Sequence, residues 1–151
     1  MKPLNEEQVK VIKDFEEFKK NLSKKYVILR TGMVIMEKAF NDALKEQEID
    51  SKPSAYSMTS LIEHDLNYGL SLKVDKDNKL IIGIMKEPVN NKDVVIKECV
   101  NFISEISIHI SKLNEYLDNQ YDYCNIFDKD IYDCKQHVKK IVNVIFEISK
   151  E

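Results

Sequence analysis

The fold is decided by residues 96–148, which read IKECVNFISEISIHISKLNEYLDNQYDYCNIFDKDIYDCKQHVKKIVNVIFEI. Apolar residues recur in this stretch at alternating spacings of three and four. The stripe consists of Ile96, Cys99, Ile103, Ile106, Ile110, Leu113, Leu117, Gln120, Cys124, Phe127, Ile131, Cys134, Val138, Ile141, Ile145 and Ile148. Of these positions, only Gln120 is polar. Because this spacing keeps one stripe on one side of a helix, the stretch is predicted to pack as helices against other helices.

The middle of this stretch, residues 118–130, is rich in Asn, Asp and Tyr, which are poor helix formers. The stretch could therefore be one continuous helix or two helices joined by a turn. Flanking apolar residues favour two helices, since they widen the stripe beyond the narrow seam of a two-stranded coiled coil. These residues are Val95, Val100, Phe102, Tyr116, Val142 and Val144. We predict a helical hairpin over residues 90–150, capped by Asn90 or Asn91 and broken near residues 118–128.

A long N-terminal helix is predicted over residues 5–47. Asn5 and Gln8 have capping-box spacing, and apolar residues then recur with the helical period. Residues 26–36 are apolar on all sides and could instead form two short strands joined at Gly32. The unbroken stripe favours a helix, and its all-round apolarity predicts burial in a bundle centre or an oligomer interface.

The middle of the chain is predicted to hold a short helix over residues 57–68, which ends with Gly69 in the C′ position. A β-hairpin follows, because apolar residues alternate along two short runs. These residues are Leu70, Leu72 and Val74 in the first run, and Leu80, Ile82 and Ile84 in the second. For both sets to share a face, Val74 must pair with Leu80, which places Asn78 where a left-handed residue is needed.

The predicted fold class is therefore mainly α: a single helical-bundle domain over residues 1–151. The long N-terminal helix packs on the C-terminal helical hairpin, and the short helix and two-stranded antiparallel β-hairpin are inserted near residues 57–86. A lone hairpin is marginally stable, so its apolar face is expected to cover the bundle or to pair with another subunit.

Composition narrows the class of protein. A hydrophobic fraction of 43% and a net charge of -3 indicate a mixed, soluble surface and argue against nucleic acid as a partner. Two of the three cysteines, Cys99 and Cys134, lie on the stripe and are predicted to be buried thiols in the reducing cytoplasm. No signal-peptide or membrane-spanning segment is expected. Arg30 is the only arginine, and such lysine-rich usage is typical of low-GC bacteria and their phages.

Motifs for catalysis or metal binding are weak, so no cofactor and no metal are predicted. Cys124, Cys134 and His137 lack a fourth zinc ligand and are interpreted as buried thiols with a flanking histidine. The run of residues 63–65, Glu-His-Asp, is interpreted as a solvated helix face. His109, at the edge of the stripe, is interpreted as a flanking or hydrogen-bonded core histidine. An enzyme is therefore disfavoured.

Charged residues cluster in two places. Four lysines on the first helix, Lys19, Lys20, Lys24 and Lys25, are interpreted as a solvated face. Residues 114–134 hold six acids against one lysine, and tyrosines lie among them. Exposed tyrosines supply contact area at low entropy cost, and carboxylates attract a basic partner. The residues predicted to bind a partner are Tyr116, Asp118, Tyr121, Asp122, Tyr123, Asp128 and Asp130. Alternatively, the tyrosines are half-buried packing and the aspartates are helix caps.

These features predict a non-catalytic module that binds and restrains a partner protein with a basic surface. Immunity proteins, antitoxins and phage antagonists act in this way. One alternative is an oligomeric helical scaffold or assembly protein, for which a homodimer is possible. A metal-dependent or hydrolytic enzyme is a third interpretation and has less support from the sequence.

Overall fold

The structure is a computed structural model that describes residues 1–46, 55–83, 89–121 and 127–150, with the backbone alone at 33–46, 55–56 and 118–121. The described residues form four α-helices, a π-helical turn and one β-hairpin. Their bounds are α1 Glu6–Glu46, α2 Ala55–His64, the π-helical turn Asp65–Gly69, β1 Leu72–Val74, β2 Leu80–Ile82, α3 Lys92–Tyr121 and α4 Asp128–Ser149. The mainly α fold, with a long N-terminal helix and an inserted hairpin, is confirmed.

Helix α1 begins with the predicted capping box. The Asn5 backbone N–H donates to Gln8 Oε1 at 2.9 Å, and the Gln8 N–H donates to Asn5 Oδ1 at 2.9 Å. The helix continues without a break through residues 26–36, so the two-strand alternative is wrong there. Among the side chains described at 26–32, the expected burial on several sides is not found within one chain, because the Ile28 side chain is 74% exposed.

The four helices form a bundle in which α1 and α3 each pack against both α2 and α4. Helices α1 and α4 run antiparallel, since Lys2 N–H donates to Ile148 O at 2.8 Å and Tyr26 packs on Phe127 at the other end. Most of the seam residues whose side chains the structure describes lie in the core, as predicted. The fully buried members include Cys99, Ile106, Ile110, Leu113, Leu117, Cys134, Ile141 and Ile145. Each buried leucine or isoleucine contributes about 1.5–3 kcal/mol.

The break in the seam is also confirmed, because α3 ends at Tyr121 and α4 begins at Asp128. Asn91 caps α3, since its Oδ1 accepts the Asp93 backbone N–H at 2.9 Å. Residues 122–126, between the two helices, lie outside the described residues. The C-terminal part of the chain is thus a helical hairpin rather than a single long helix.

The β-hairpin has the predicted register, with Val74 paired to Leu80 and Leu72 to Ile82. Asn78 has φ 59, the left-handed conformation expected for that position. Leu70, Leu72 and Leu80 are buried in the core. The Leu72 N–H donates to Glu16 Oε1 at 3.0 Å. The hairpin therefore covers the bundle, which is one of the two arrangements expected for its apolar face. Ile84 lies outside the described residues.

The end of the short helix differs from the prediction. Helix α2 stops at His64, and the chain continues as the π-helical turn to Gly69. Gly69 does not have the positive φ of a left-handed C′ residue. Instead, a Cβ at Gly69 would lie 3.2 Å from Phe102 Cδ2. Glycine therefore lets the turn lie against the Phe102 ring of α3 without a tight contact, and local sequence does not reveal this tertiary contact.

Candidate protein-interaction surface

The seven residues predicted to bind a partner lie between positions 116 and 130 of the sequence, and the structure describes five of them. Asp122 and Tyr123 lie outside the described residues. Asp118 and Tyr121 lie in the last turn of α3 and are described by backbone alone. The other three are described with their side chains, and they have three different environments.

Asp128 and Tyr116 fit the predicted surface to different degrees. Asp128 is exposed at the first position of α4, where the helix dipole favours a negative charge. Its Oδ1 accepts from Asn114 Nδ2 at 3.4 Å. Tyr116 is half-buried and packs against the core, as the packing alternative expected for the tyrosines. One turn after Asp128, Tyr132 is 61% exposed on the same side of α4, although it was not among the seven residues.

The prediction that Asp130 belongs to an exposed acidic surface is wrong, because this residue is buried. Its side chain faces α1 and the residue is only 8% exposed. Asp130 Oδ2 accepts from Tyr26 OH at 2.8 Å and from Lys25 Nζ at 2.8 Å. A buried tyrosine hydroxyl needs such a hydrogen-bond partner. We therefore leave Asp130 out of the partner-binding surface proposed below.

The contacts of Asp130 attach the first turn of α4 firmly to α1. Phe127, the residue before α4, packs on the Tyr26 ring with centroids 5.7 Å apart. Lys25 Nζ lies 5.2 Å from the centre of the Phe127 ring. Burial, with the nearby Asp130 carboxylate, raises the pKa of Tyr26 well above its usual range. The Tyr26 hydroxyl therefore remains protonated and keeps donating at physiological pH.

One of the four α1 lysines predicted to form a solvated face is buried. The prediction is wrong for Lys19. Lys19 is 3% exposed. Its Nζ donates to the Leu70 carbonyl, forms an ion pair with Glu16 Oε1 at 3.0 Å and lies 4.6 Å from the centre of the Phe15 ring. Burial lowers the pKa of Lys19, and Glu16 opposes that effect. Lys19 thus joins α1 to the segment between the π-helical turn and β1.

The run of residues 63–65 is also more buried than expected for a solvated face. Glu63 Oε2 forms an ion pair with Arg30 Nη1 at 2.7 Å, and its side chain is largely buried. Asp65 is buried and pairs with His109 Nδ1 of α3. His109 is therefore a hydrogen-bonded histidine at the core, which agrees with one of its two interpretations. The π-helical turn that begins at Asp65 places this acid against α3.

The cysteine and histidine motif does not form a ligand cluster where it is described. Burial raises the pKa of Cys99 to about 11 and, with Asp130 and Asp133 nearby, that of Cys134 to about 12. His137 stacks on Phe18 with ring centroids 4.3 Å apart. Cys124 lies outside the described residues. Within the described parts of the chain, no group of three His, Cys, Asp or Glu residues is arranged to hold a metal ion.

Comparison of the chain with models of protein families, with curated proteins and with solved structures found no match. Among the residues that the structure describes, no helix has both the length and the apolarity needed to cross a membrane.

Proposed function

We propose that this chain is a non-catalytic protein-binding module that binds a partner with a basic surface and restrains it by steric occlusion. Immunity proteins, antitoxins and phage antagonists are the types of protein that act in this way. The observation that carries the proposal is the pair Asp128 and Tyr132, which present a carboxylate and a tyrosine ring side by side on the first turns of α4.

This pair has the properties of a binding surface because its support is rigid. Tyrosine supplies a large contact area at low entropy cost, and a carboxylate speeds encounter with a basic surface. Asp130 fixes the same turn of α4 to Tyr26 and Lys25, so little ordering is required on binding. Asp118, Tyr121, Asp122 and Tyr123 are proposed to bind the same partner.

The thiols support a non-catalytic role in a reducing compartment. Cys99 and Cys134 are free and buried, and their raised pKa values keep them protonated near neutral pH. A protonated, buried thiol is neither a nucleophile nor a metal ligand. Free thiols also fit the cytoplasm, where we propose that the protein acts.

The proposal is tested with a partner captured from an extract of the source cells and then purified. We expect Tyr132→Ala to weaken binding at least about tenfold, because an exposed tyrosine at an interface carries much of its affinity. Asp128→Lys is expected to slow association, with the effect decreasing as salt is added. Surface plasmon resonance gives both the affinity and the association rate.

The matched controls are Tyr68→Ala and Asp77→Lys, which make the same changes at exposed positions in the π-helical turn and in the hairpin. We expect each control to bind within about twofold of the unsubstituted chain. Equal losses for Tyr132→Ala and Tyr68→Ala would count against the α4 surface.

A second candidate function, an oligomeric scaffold, is favoured by the exposed Ile28 on α1. In this case, self-association would bury the apolar segment at residues 26–36. Sedimentation of the unsubstituted chain is then expected to show a dimer or larger species at micromolar concentration. Ile28→Glu should dissociate it, whereas Ile108→Glu, at a half-exposed position on α3, should not. A compact monomer for the unsubstituted chain would exclude this candidate.

A further inference from the structure

A groove of about 490 Å³ runs between α3 and α4, and all of its lining residues belong to these two helices. Cys99 and Val138 are buried and close its floor. Ile103 and Val142 are half-buried and form its walls. The groove is thus a shallow apolar channel along two rigid helices, a shape that accommodates an elongated apolar ligand.

The groove contains apolar residues that the bundle itself does not bury. Among the residues that widen the seam, Val95, Phe102 and Val144 are buried in the core. Val100, by contrast, is 61% exposed at the rim of the groove, and Val142 is half-buried. The apolar pattern of the sequence therefore continues beyond the core, onto side chains that remain partly exposed in the single chain.

The apolar surface extends beyond the groove along α4. Val142 is followed one turn later by Phe146, which is half-exposed. Lys135, Lys139, Val142 and Phe146 follow helical spacing along one side of α4. This side is about 16 Å long, or three helical turns. An amphipathic helix of three to four turns has a matching length and presents apolar residues at the same spacing.

The charges at the rim indicate which helix fits. Lys135 and Lys139 are exposed there, and the part of the groove that the structure describes has no acidic lining residue. A second copy of this chain, docked groove to groove, would bring these lysines together, and like charges repel. Acidic side chains along a partner helix would pair with them instead. The rim therefore favours a partner of opposite charge over self-association.

We propose that the α3–α4 groove docks an amphipathic α-helix of another protein, with its apolar face on Val100, Ile103 and Val142 and acidic residues beside Lys135 and Lys139. This inference goes beyond the proposed function, because it adds a second surface with the opposite charge preference to that of Asp128. Docking covers the exposed valine and the apolar stems of both lysines.

The experiment uses the full chain and two labelled synthetic peptides of roughly 18 residues, a length that allows a helix to form. One peptide carries leucines at helical spacing with flanking glutamates, and the other has lysines in place of the glutamates. Fluorescence anisotropy is expected to show binding of the glutamate peptide at least about tenfold tighter than that of the lysine peptide. Val100→Glu should reduce this binding at least about tenfold.

Val94→Glu is the matched control, since Val94 is half-exposed on α3 but does not line the groove. This variant should bind within about twofold of the unsubstituted chain. The double variant Lys135→Glu and Lys139→Glu, at two exposed positions, should prefer the lysine peptide. That reversal tests the groove even if Val100→Glu destabilises the fold, which circular dichroism would reveal.

Three results would overturn the proposal. The first is equal binding of both peptides, and the second is an unchanged preference in the double lysine variant. The third is self-association of the unsubstituted chain that Val100→Glu abolishes, because the occupant would then be a second copy. None of these results depends on the partner of the Asp128 and Tyr132 surface, so the two proposals fail independently.

Discussion

Phe15→Ala is expected to lower the free energy of unfolding by about 3–5 kcal/mol, the largest effect of any single substitution that we describe. Phe15 is fully buried and meets the Phe102 ring edge to face, with centroids 5.8 Å apart. It also packs beside His137 and beneath the ammonium group of Lys19. Its removal opens a cavity where α1, α3 and α4 meet and takes away the ring beneath the buried Lys19.

Urea unfolding followed by circular dichroism measures this loss, provided that the slope with urea concentration is unchanged. Phe146→Ala is the matched control, because Phe146 is half-exposed on the outer side of α4. Its loss should cost no more than about 1 kcal/mol. Similar costs for the two substitutions would mean that Phe15 does not join α1 to the rest of the bundle.

The backbone elements could be predicted from the sequence because their signals are local and periodic. The seam of residues 96–148 fixes the inward side of α3 and α4. The break between them follows from the Asn, Asp and Tyr content of residues 118–130. In the hairpin, alternation fixes the pairing of Val74 with Leu80, and Asn78 tolerates the left-handed turn. None of these inferences requires knowledge of contacts between distant residues.

Buried charges are harder to predict, because a charged residue type favours exposure even where the position of the residue points inward. Lys19 follows Phe15 by four residues and precedes Leu22 by three, so the stripe already pointed it inward. Asp130 likewise lies between Phe127 and Cys134 at spacings of three and four. Each also meets a group that is distant in the chain: the Leu70 carbonyl, just before β1, for Lys19, and the Tyr26 hydroxyl of α1 for Asp130. Periodicity indicates that a residue points inward but not which group it meets.

Two exposed residues, Tyr132 and Val100, are difficult to assign from the sequence for a related reason. Tyr132 belongs to the acidic segment of residues 114–134 but is not among the seven predicted residues, although its position off the seam predicts exposure. Val100 widens the stripe, yet it lies at the open rim of the α3–α4 groove. A widened stripe shows how much apolar surface a helix carries. Whether another part of the same chain covers that surface depends on tertiary packing.

Asp130→Ala is expected to lower the free energy of unfolding by about 2–3 kcal/mol, the second large effect. The substitution leaves the fully buried Tyr26 hydroxyl without its carboxylate acceptor and Lys25 without its ion-pair partner. Thermal and urea unfolding measure the loss. Asp128→Ala is the matched control two residues earlier, at an exposed position, and should cost at most about 1 kcal/mol.

A double-mutant cycle separates this hydrogen bond from other effects of the substitutions. If Asp130 and Tyr26 act as one unit, combining Asp130→Ala with Tyr26→Phe should cost less than the sum of the two single losses. A coupling energy of about 1–2 kcal/mol is expected. Additive losses would show that the Tyr26 hydroxyl gains nothing from Asp130.

Tyr26 and Asp130 also make the free energy of unfolding depend on pH in the alkaline range. Because burial and Asp130 raise the pKa of Tyr26 in the folded chain, the unfolded chain loses this proton first as the pH rises. The stability contributed by Tyr26 is therefore fully present below about pH 10, the ordinary pKa of tyrosine, and is lost above it. The excess stability of the unsubstituted chain over Tyr26→Phe should fall by about 1.4 kcal/mol per pH unit there. A difference that stays constant to pH 11 would contradict a buried, protonated hydroxyl that donates to Asp130.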